Sequence, residues 1–113
     1  MSTKAVLNDL IEYKLPIGIL EGLVSNVPWD IEPEVVLTYG HLSRVFRRFL
    51  EKEISADEVQ RWADLIECRD GIEYELKEAL PGIADIIFEL ANPEINSEIN
   101  EELIGGFYRL VQQ

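Results

Sequence analysis

The segment ISADEV (residues 54–59) constrains the fold of this chain more than any other. Ser55 and Glu58 have the spacing of a capping box, in which each side chain bonds the other residue's backbone amide at the start of a helix. Ile54 and Val59 flank them with the spacing of a hydrophobic staple. The segment therefore predicts a helix that starts at Ser55. Its predicted inner face consists of Val59, Trp62, Ala63 and Ile66.

A second helix is predicted just before this one. Thr38 is a candidate cap, and Leu37 and Leu42 flank it with the spacing of another staple. Apolar residues recur at helical intervals after the cap, at Leu42, Val45, Phe46, Phe49 and Leu50. We expect this helix to end near Lys52 or Glu53. Because only a short turn then separates the two helices, they must pack as an antiparallel or steeply crossed hairpin.

The rest of the chain also has mostly helical spacing. We expect a helix over residues 3–13, a short one from Pro16, one after residue 75 that ends at Asn92, and a last one from Ser97 or Asn100. Pro81 leaves two alternatives, since it either bends the third of these helices or forms its first turn. The expected inner faces of the last two helices are Leu76, Leu80, Ile83, Ile87, Leu90 and Ala91, and Leu103, Ile104, Phe107, Leu110 and Val111.

The connection over residues 26–38 is the least defined part of the chain. It contains two prolines, and its EVVL stretch favours an extended conformation because Val35 and Val36 are β-branched. One such stretch cannot form a sheet alone. The sequence therefore predicts an all-α fold, a compact single-domain bundle of five or six helices over residues 1–113.

Charge restricts the possible partners. The 113 residues include ten Lys and Arg against 22 Asp and Glu, a net charge of −12. The excess is largest in residues 70–113, which carry ten acidic and two basic side chains. Like charges repel, so we expect no direct binding to nucleic acid or to an anionic membrane, and a basic protein partner is favoured. The alternative is that the acidity only keeps the protein in solution.

The sequence contains no sign of export or membrane insertion. No apolar run approaches the roughly 20 residues that a membrane-spanning helix needs. The N-terminus lacks the continuous apolar segment of a secretory signal. With Cys68 as the only cysteine, no internal disulfide can form. These features predict a cytoplasmic protein.

Few residues are suited to catalysis or metal binding. His41 and Cys68 could be a base and a nucleophile, but no oxyanion turn or third orienting group accompanies them. One histidine and one cysteine are too few for a zinc site. Residues 70–81 fail the calcium-loop pattern at three of its four key positions. Gly105 and Gly106 follow no strand, so they do not indicate a phosphate site. We therefore predict no enzyme activity, no catalytic residue, no cofactor and no metal.

The basic residues form a stripe on one helix. Arg44, Arg48 and Lys52 are spaced by four and share a face. They could contact nucleic acid, but in so acidic a chain we expect them to pair with acidic side chains of a neighbouring helix. Arg47 and Glu51 are placed to pair along their own helix.

The stretch ECRDGIEYE (residues 67–75) and the three residues after it contain five acidic side chains, with Arg69 and Lys77 as the only basic ones. The simpler interpretation is a solvated loop that follows the helix started by Ser55, with Cys68 at the helix end and Gly71 in the left-handed turn beyond it. The functional interpretation is an acidic surface for basic side chains of a partner, with Tyr74 and Trp29 as aromatic anchors. The candidate partner-binding residues are Glu67, Asp70, Glu73, Tyr74, Glu75 and Glu78.

The stretch FRRFLEKEISADEVQRWADLIECRDGIEYE, followed by IIFELANPEI, resembles bacterial toxin-immunity proteins. The families concerned are the immunity proteins of contact-dependent growth inhibition systems and of colicin D-like nuclease toxins, and the resemblance covers residues 42–95. It implies a non-enzymatic protein that neutralises a basic toxin domain, often a nuclease, by covering its functional surface. The alternative is a structural or regulatory adaptor, in one version a homodimer that buries Trp29, Tyr74 or the last helix.

Overall fold

The computed structural model describes residues 2–112, which form six helices and two short strands. The predicted all-α class is confirmed, with one small parallel sheet added to it. In chain order the elements are α1 (Thr3–Ile11), α2 (Ile17–Val24), β1 (Val35–Leu37), α3 (Tyr39–Leu50), α4 (Ala56–Ile66), β2 (Ile72–Tyr74), α5 (Ile83–Ala91) and α6 (Glu101–Val111).

The α3–α4 hairpin forms as its capping residues predict. Ser55 Oγ accepts the Glu58 amide at 3.2 Å, and Glu58 Oε1 accepts the Ser55 amide at 2.9 Å. Thr38 caps α3, and the reciprocal acceptor is the Nδ1 of His41, 2.9 Å from the Thr38 amide nitrogen. Helix α3 ends at Leu50, slightly earlier than expected, because Lys52 adopts a left-handed conformation with φ of 66° that closes the last turn.

The buried side chains of the described residues form one hydrophobic cluster. Trp62 lies at its centre, where its Nε1 donates to the Leu10 carbonyl oxygen at 2.7 Å and its ring stacks on Tyr13. Helix α6 packs on α3, with Phe107 stacked on Phe46, and α5 packs on α4. Arg61 of α4 forms two hydrogen bonds with Glu21 and so joins α4 to α2.

The two strands are parallel, with Val35 opposite Ile72 and Leu37 opposite Tyr74. The extended conformation of residues 35–37 is confirmed, but the partner strand β2 was not predicted. Only three residues form it, and a charged side chain interrupts its apolar pattern. Because its hydrogen-bond partners lie far away in the chain, no local pattern indicates the strand.

Residues 75–82 differ from the prediction. They contain no helix, and α5 starts only at Ile83, after an N-cap at Gly82. Pro81 therefore precedes the helix, so neither of its two predicted roles is correct. Leu76, expected on the inner face, is 89% exposed. In α6 the prediction is wrong at Leu110, which is 43% exposed, while Ile104 and Val111 are buried.

Candidate partner-binding groove

A tight turn after α4 sets the position of the acidic stretch. The Arg69 amide donates to the Ile66 carbonyl oxygen at 3.2 Å, which closes a four-residue turn. Glu67 has φ −55° and ψ 132°, and Cys68 has φ of 63°, as the central positions of a type II turn require. The prediction that Gly71 supplies the left-handed residue is wrong, since no described glycine has positive φ.

Gly71 is required for a different reason, which is close packing. A Cβ atom at this position would lie 2.9 Å from the Cδ1 atoms of Ile31 and Leu7. The backbone of Gly71 therefore lies against α1 and the connection before β1. This contact fixes the start of β2, and the Gly71 carbonyl accepts the amides of Glu34 and Val35.

A groove of about 520 Å³ lies between the acidic stretch and α5. We call it the β2–α5 groove. One wall is formed by residues 67–70 and 72–74, the other by Ala84, Ile87 and Phe88 of α5, and Pro33 also lines the groove. Phe88 is 44% exposed, so the wall formed by α5 offers accessible aromatic surface.

Four of the six predicted partner-binding residues line this groove, namely Glu67, Asp70, Glu73 and Tyr74. Glu67 is held by Asn92, whose Nδ2 donates to Glu67 Oε2 at 3.0 Å. Asp70 and Glu73 are exposed, and Tyr74 is half-buried. Burial raises the pKa of Tyr74, and the neighbouring Cys68 and Glu67 raise it further, so its hydroxyl stays neutral.

The other two predicted residues do not line the groove. Glu75 Oε1 accepts the Tyr39 amide at 2.9 Å, so this carboxylate caps the first turn of α3. Glu78 is exposed in the loop before α5. Glu75 was assigned to a surface because its cap partner lies outside the local sequence, and only the tertiary structure shows their contact.

A shallower depression extends the groove and adds two acidic residues that the sequence analysis did not single out. Asp30, Ile31, Glu32, Pro33 and Asp70 line it. Asp30 and Glu32 lie in the proline-containing connection. Acidic residues at every second position there are the sequence pattern that could have identified them. Pro33 and Asp70 belong to both depressions, so the carboxylates form one continuous acidic surface.

Arg69 is the only basic residue that lines the two depressions, and its charge is directed inward. The residue is 4% exposed. Its Nε donates to the Leu65 carbonyl at 2.8 Å, its Nη1 to the Val27 carbonyl at 3.3 Å, and its guanidinium lies 3.9 Å from the centre of the Trp29 ring. Burial lowers the pKa of Arg69. Arg69 therefore joins the connection to α4, and it forms no ion pair with the carboxylates of the groove among residues 2–112.

Ion pairs are few among residues 2–112. Only Glu21, Glu53 and Asp57 have a basic side chain within 4.0 Å. The expectation that the stripe pairs with a neighbouring helix is wrong: Arg48 contacts Glu53 at 3.8 Å and donates to the Tyr13 carbonyl.

In the same described range, Arg44 and Lys52 have no carboxylate within that distance. Arg47 and Glu51 also do not pair there. The acidic surface of the groove is thus not neutralised from within the described chain.

His41 and Cys68 have separate surroundings. Burial lowers the pKa of His41, and the nearby Arg44 lowers it further, so the neutral ring persists and its Nδ1 can accept the Thr38 amide. Cys68 is exposed at the groove. Within residues 2–112 no group of three or more His, Cys, Asp or Glu side chains is arranged to hold a metal ion.

The helices of residues 2–112 are all too short or too polar to cross a membrane. Comparisons with known proteins add no relative, since no protein-family model, no curated protein and no solved structure matches the chain.

Proposed function

We propose that this chain is a non-enzymatic cytoplasmic binding protein that neutralises a basic toxin domain, most simply a nuclease, by covering its functional surface. The observation that carries the proposal is the β2–α5 groove. There Glu67, Asp70 and Glu73 lie beside accessible aromatic and aliphatic carbon, and none of them has a basic side chain within 4.0 Å among residues 2–112.

This combination of surfaces suits arginine and lysine side chains. Both residues carry an aliphatic stem that packs on apolar surface and a charged end that seeks an anion. Phe88 and Ala84 are exposed and offer the apolar surface, and the carboxylates across the groove offer the anions. The phosphate-binding surface of a nuclease is rich in such cations, so carboxylates can take the place of phosphates there. A net charge of −12 also speeds encounter with a basic partner, by roughly 10- to 1,000-fold.

The proposal is tested with the candidate toxin domain encoded by the gene next to the gene for this chain. The domain is expressed in bacteria with and without this chain. We expect the chain to restore growth and to bind the purified domain. The double substitution Asp70→Lys and Glu73→Lys should abolish both effects, because it reverses the charge of the groove. Both residues are exposed, and Glu75 is left intact because it caps α3.

The matched control is Glu94→Lys with Glu98→Lys, two exposed residues outside the groove. It changes the net charge by the same amount, so it should still protect the cells. Equal protection by both double variants would show that the groove is not the binding surface. A wild-type chain that neither protects the cells nor binds the domain would refute the proposal.

The second candidate function is an adaptor that acts as a homodimer. Exposed apolar side chains favour it, among them Leu76 at 89%, Trp29 at 51% and Leu110 at 43% exposure. Sedimentation equilibrium over a wide concentration range tests this alternative. A dimer that Leu110→Lys or Leu76→Lys dissociates would support it, and a monomer at every concentration would exclude the homodimer.

A further inference from the structure

We infer that the basic partner enters the β2–α5 groove as an extended segment, which pairs with the free edge of β2 as a third strand of the sheet. The inference rests on the proposed function, since it takes the partner to be basic, and it adds the manner of binding. Four observations support it: the unpaired backbone groups of β2, the position of the groove, the pattern of side chains beside it and the charge of its walls.

The unpaired backbone groups follow from the register of the sheet. The Val35 amide donates to the Gly71 carbonyl, and the Glu75 amide donates to the Leu37 carbonyl. Along a strand the direction of the backbone groups alternates, so Gly71, Glu73 and Glu75 face β1, while Ile72 and Tyr74 face the other way. Among residues 2–112 the Tyr74 amide and the carbonyls of Ile72 and Tyr74 have no backbone partner. An edge of this kind is a template for another strand.

The groove lies along this edge. Ile72, Glu73 and Tyr74 all line it, and α5 forms the opposite wall. Three residues of strand present an edge of roughly 10 Å, and an added strand would lie about 4.8 Å away. The groove therefore offers space at the position where a short third strand would pair, which is the recognition mode known as β-strand addition.

The neighbouring side chains predict the sequence pattern of the segment. On β2, Glu73 is exposed, whereas Ile72 is buried and Tyr74 half-buried. Side chains of an added strand alternate in the same way. Those beside Glu73 would be basic, because opposite charges on neighbouring strands attract, and those on the other face would be apolar and approach the exposed Ala84 and Phe88. The expected segment alternates basic and apolar residues.

The outer edge of β1 provides the matched control. By the same alternation the Val36 amide also points away from its partner strand. Val36 is exposed but lines neither acidic depression. A change that blocks the Val36 amide therefore perturbs the same small sheet and leaves the proposed docking edge intact.

The test uses a synthetic hexapeptide of alternating lysine and valine, with a glutamate–valine peptide as the charge control. Titration calorimetry at low salt measures affinity, and amide hydrogen exchange by NMR follows Tyr74. We expect only the lysine peptide to bind, and its binding should slow exchange of the Tyr74 amide at least tenfold. Tyr74→Pro removes this amide and should weaken binding at least tenfold, whereas Val36→Pro should leave binding unchanged.

Each other result overturns the inference in a distinct way. Binding of the lysine peptide with unchanged Tyr74 exchange would refute strand addition and leave the basic-partner function standing, and this readout needs no variant that might fail to fold. Tyr74 protection that depends on protein concentration without peptide would assign the edge to a second copy of the chain. Absence of lysine-peptide binding would also overturn strand addition. The growth assay with the toxin domain tests the proposed function independently of this result.

Discussion

The α3–α4 hairpin (residues 38–66) and the segment that follows it (residues 67–82) are held in place by different kinds of interaction. In the hairpin, caps and staples lie within a few residues of each other, and each helix begins where its own sequence indicates. In the following segment, the important partners are remote: Gly71 bonds Glu34 and Val35, and Glu75 caps Tyr39. One wall of the groove belongs to this second region and the other to α5, so the candidate binding surface depends on tertiary contacts.

The largest expected effect lies in the hairpin, at Trp62. Trp62→Ala should destabilise the protein by about 3–5 kcal/mol, because it opens a cavity in the core and removes the indole hydrogen bond to the Leu10 carbonyl, which then keeps only the Tyr13 amide as donor. Urea denaturation followed by far-UV circular dichroism measures the change in free energy of unfolding. Trp29→Ala is the control in the connection, and its loss of the Arg69 contact should cost only about 1 kcal/mol. Equal losses of stability in the two variants would show that the connection contributes as much to stability at Trp29 as the core does at Trp62.

The second prediction concerns close packing at Gly71. Gly71→Ala should cost about 1–3 kcal/mol, since the added methyl group would collide with Ile31 and Leu7. Gly22→Ala is the matched control, because its Cβ would meet no atom within 4 Å and α2 should gain about 0.5–1 kcal/mol in stability. The same denaturation experiment measures both. A neutral Gly71→Ala would show that this segment repacks freely.

The third prediction concerns backbone strain at Cys68. A left-handed conformation costs a residue with a Cβ about 1–2 kcal/mol, and glycine offsets part of that gain through its greater freedom when unfolded. Cys68→Gly should therefore stabilise the protein by about 1 kcal/mol or less. Cys68→Ala keeps the Cβ and removes the thiol, so it should change little. A gain of the same size in both variants would point to the thiol, and the turn would then not be strained.

The smallest expected effect is a pH dependence that originates at His41. Its pKa in the folded protein is lowered by burial, whereas the unfolded value is about 6.5. The unfolded chain then binds the proton more readily, so stability is lost as the pH falls below about 6.5. Protonation also has a structural consequence, since a protonated Nδ1 cannot accept the Thr38 amide.

Free energies of unfolding between pH 7.5 and 5.5 test this, with His41→Gln as the comparison. Glutamine keeps a capping acceptor that does not titrate, so the variant should lose less stability over this range. If both proteins show the same slope, His41 does not contribute, and carboxylates account for the pH dependence.

Much of the fold was predictable from sequence, and the candidate site only in part. The cap at Ser55 and the inner face that includes Trp62 are local patterns, and each was predicted correctly. The acidic stretch was also identified, and four of its six proposed residues share the groove. The groove's second wall was not predicted, because nothing local indicates that Ile87 and Phe88 face residues 67–74.

The sequence by itself determined the helical class, the start of α4, the capping of α3 and the excess of negative charge. These properties depend on residue type and on spacings of a few residues. Only the tertiary structure decided that Ile72–Tyr74 forms a strand, that Cys68 takes the left-handed position and that Glu75 caps α3. The strand and the Glu75 cap have partners that are distant in sequence, so their conformations follow from the folded core. The turn at Cys68 is closed locally, but the residue after it, Arg69, is bonded to the remote Val27 carbonyl.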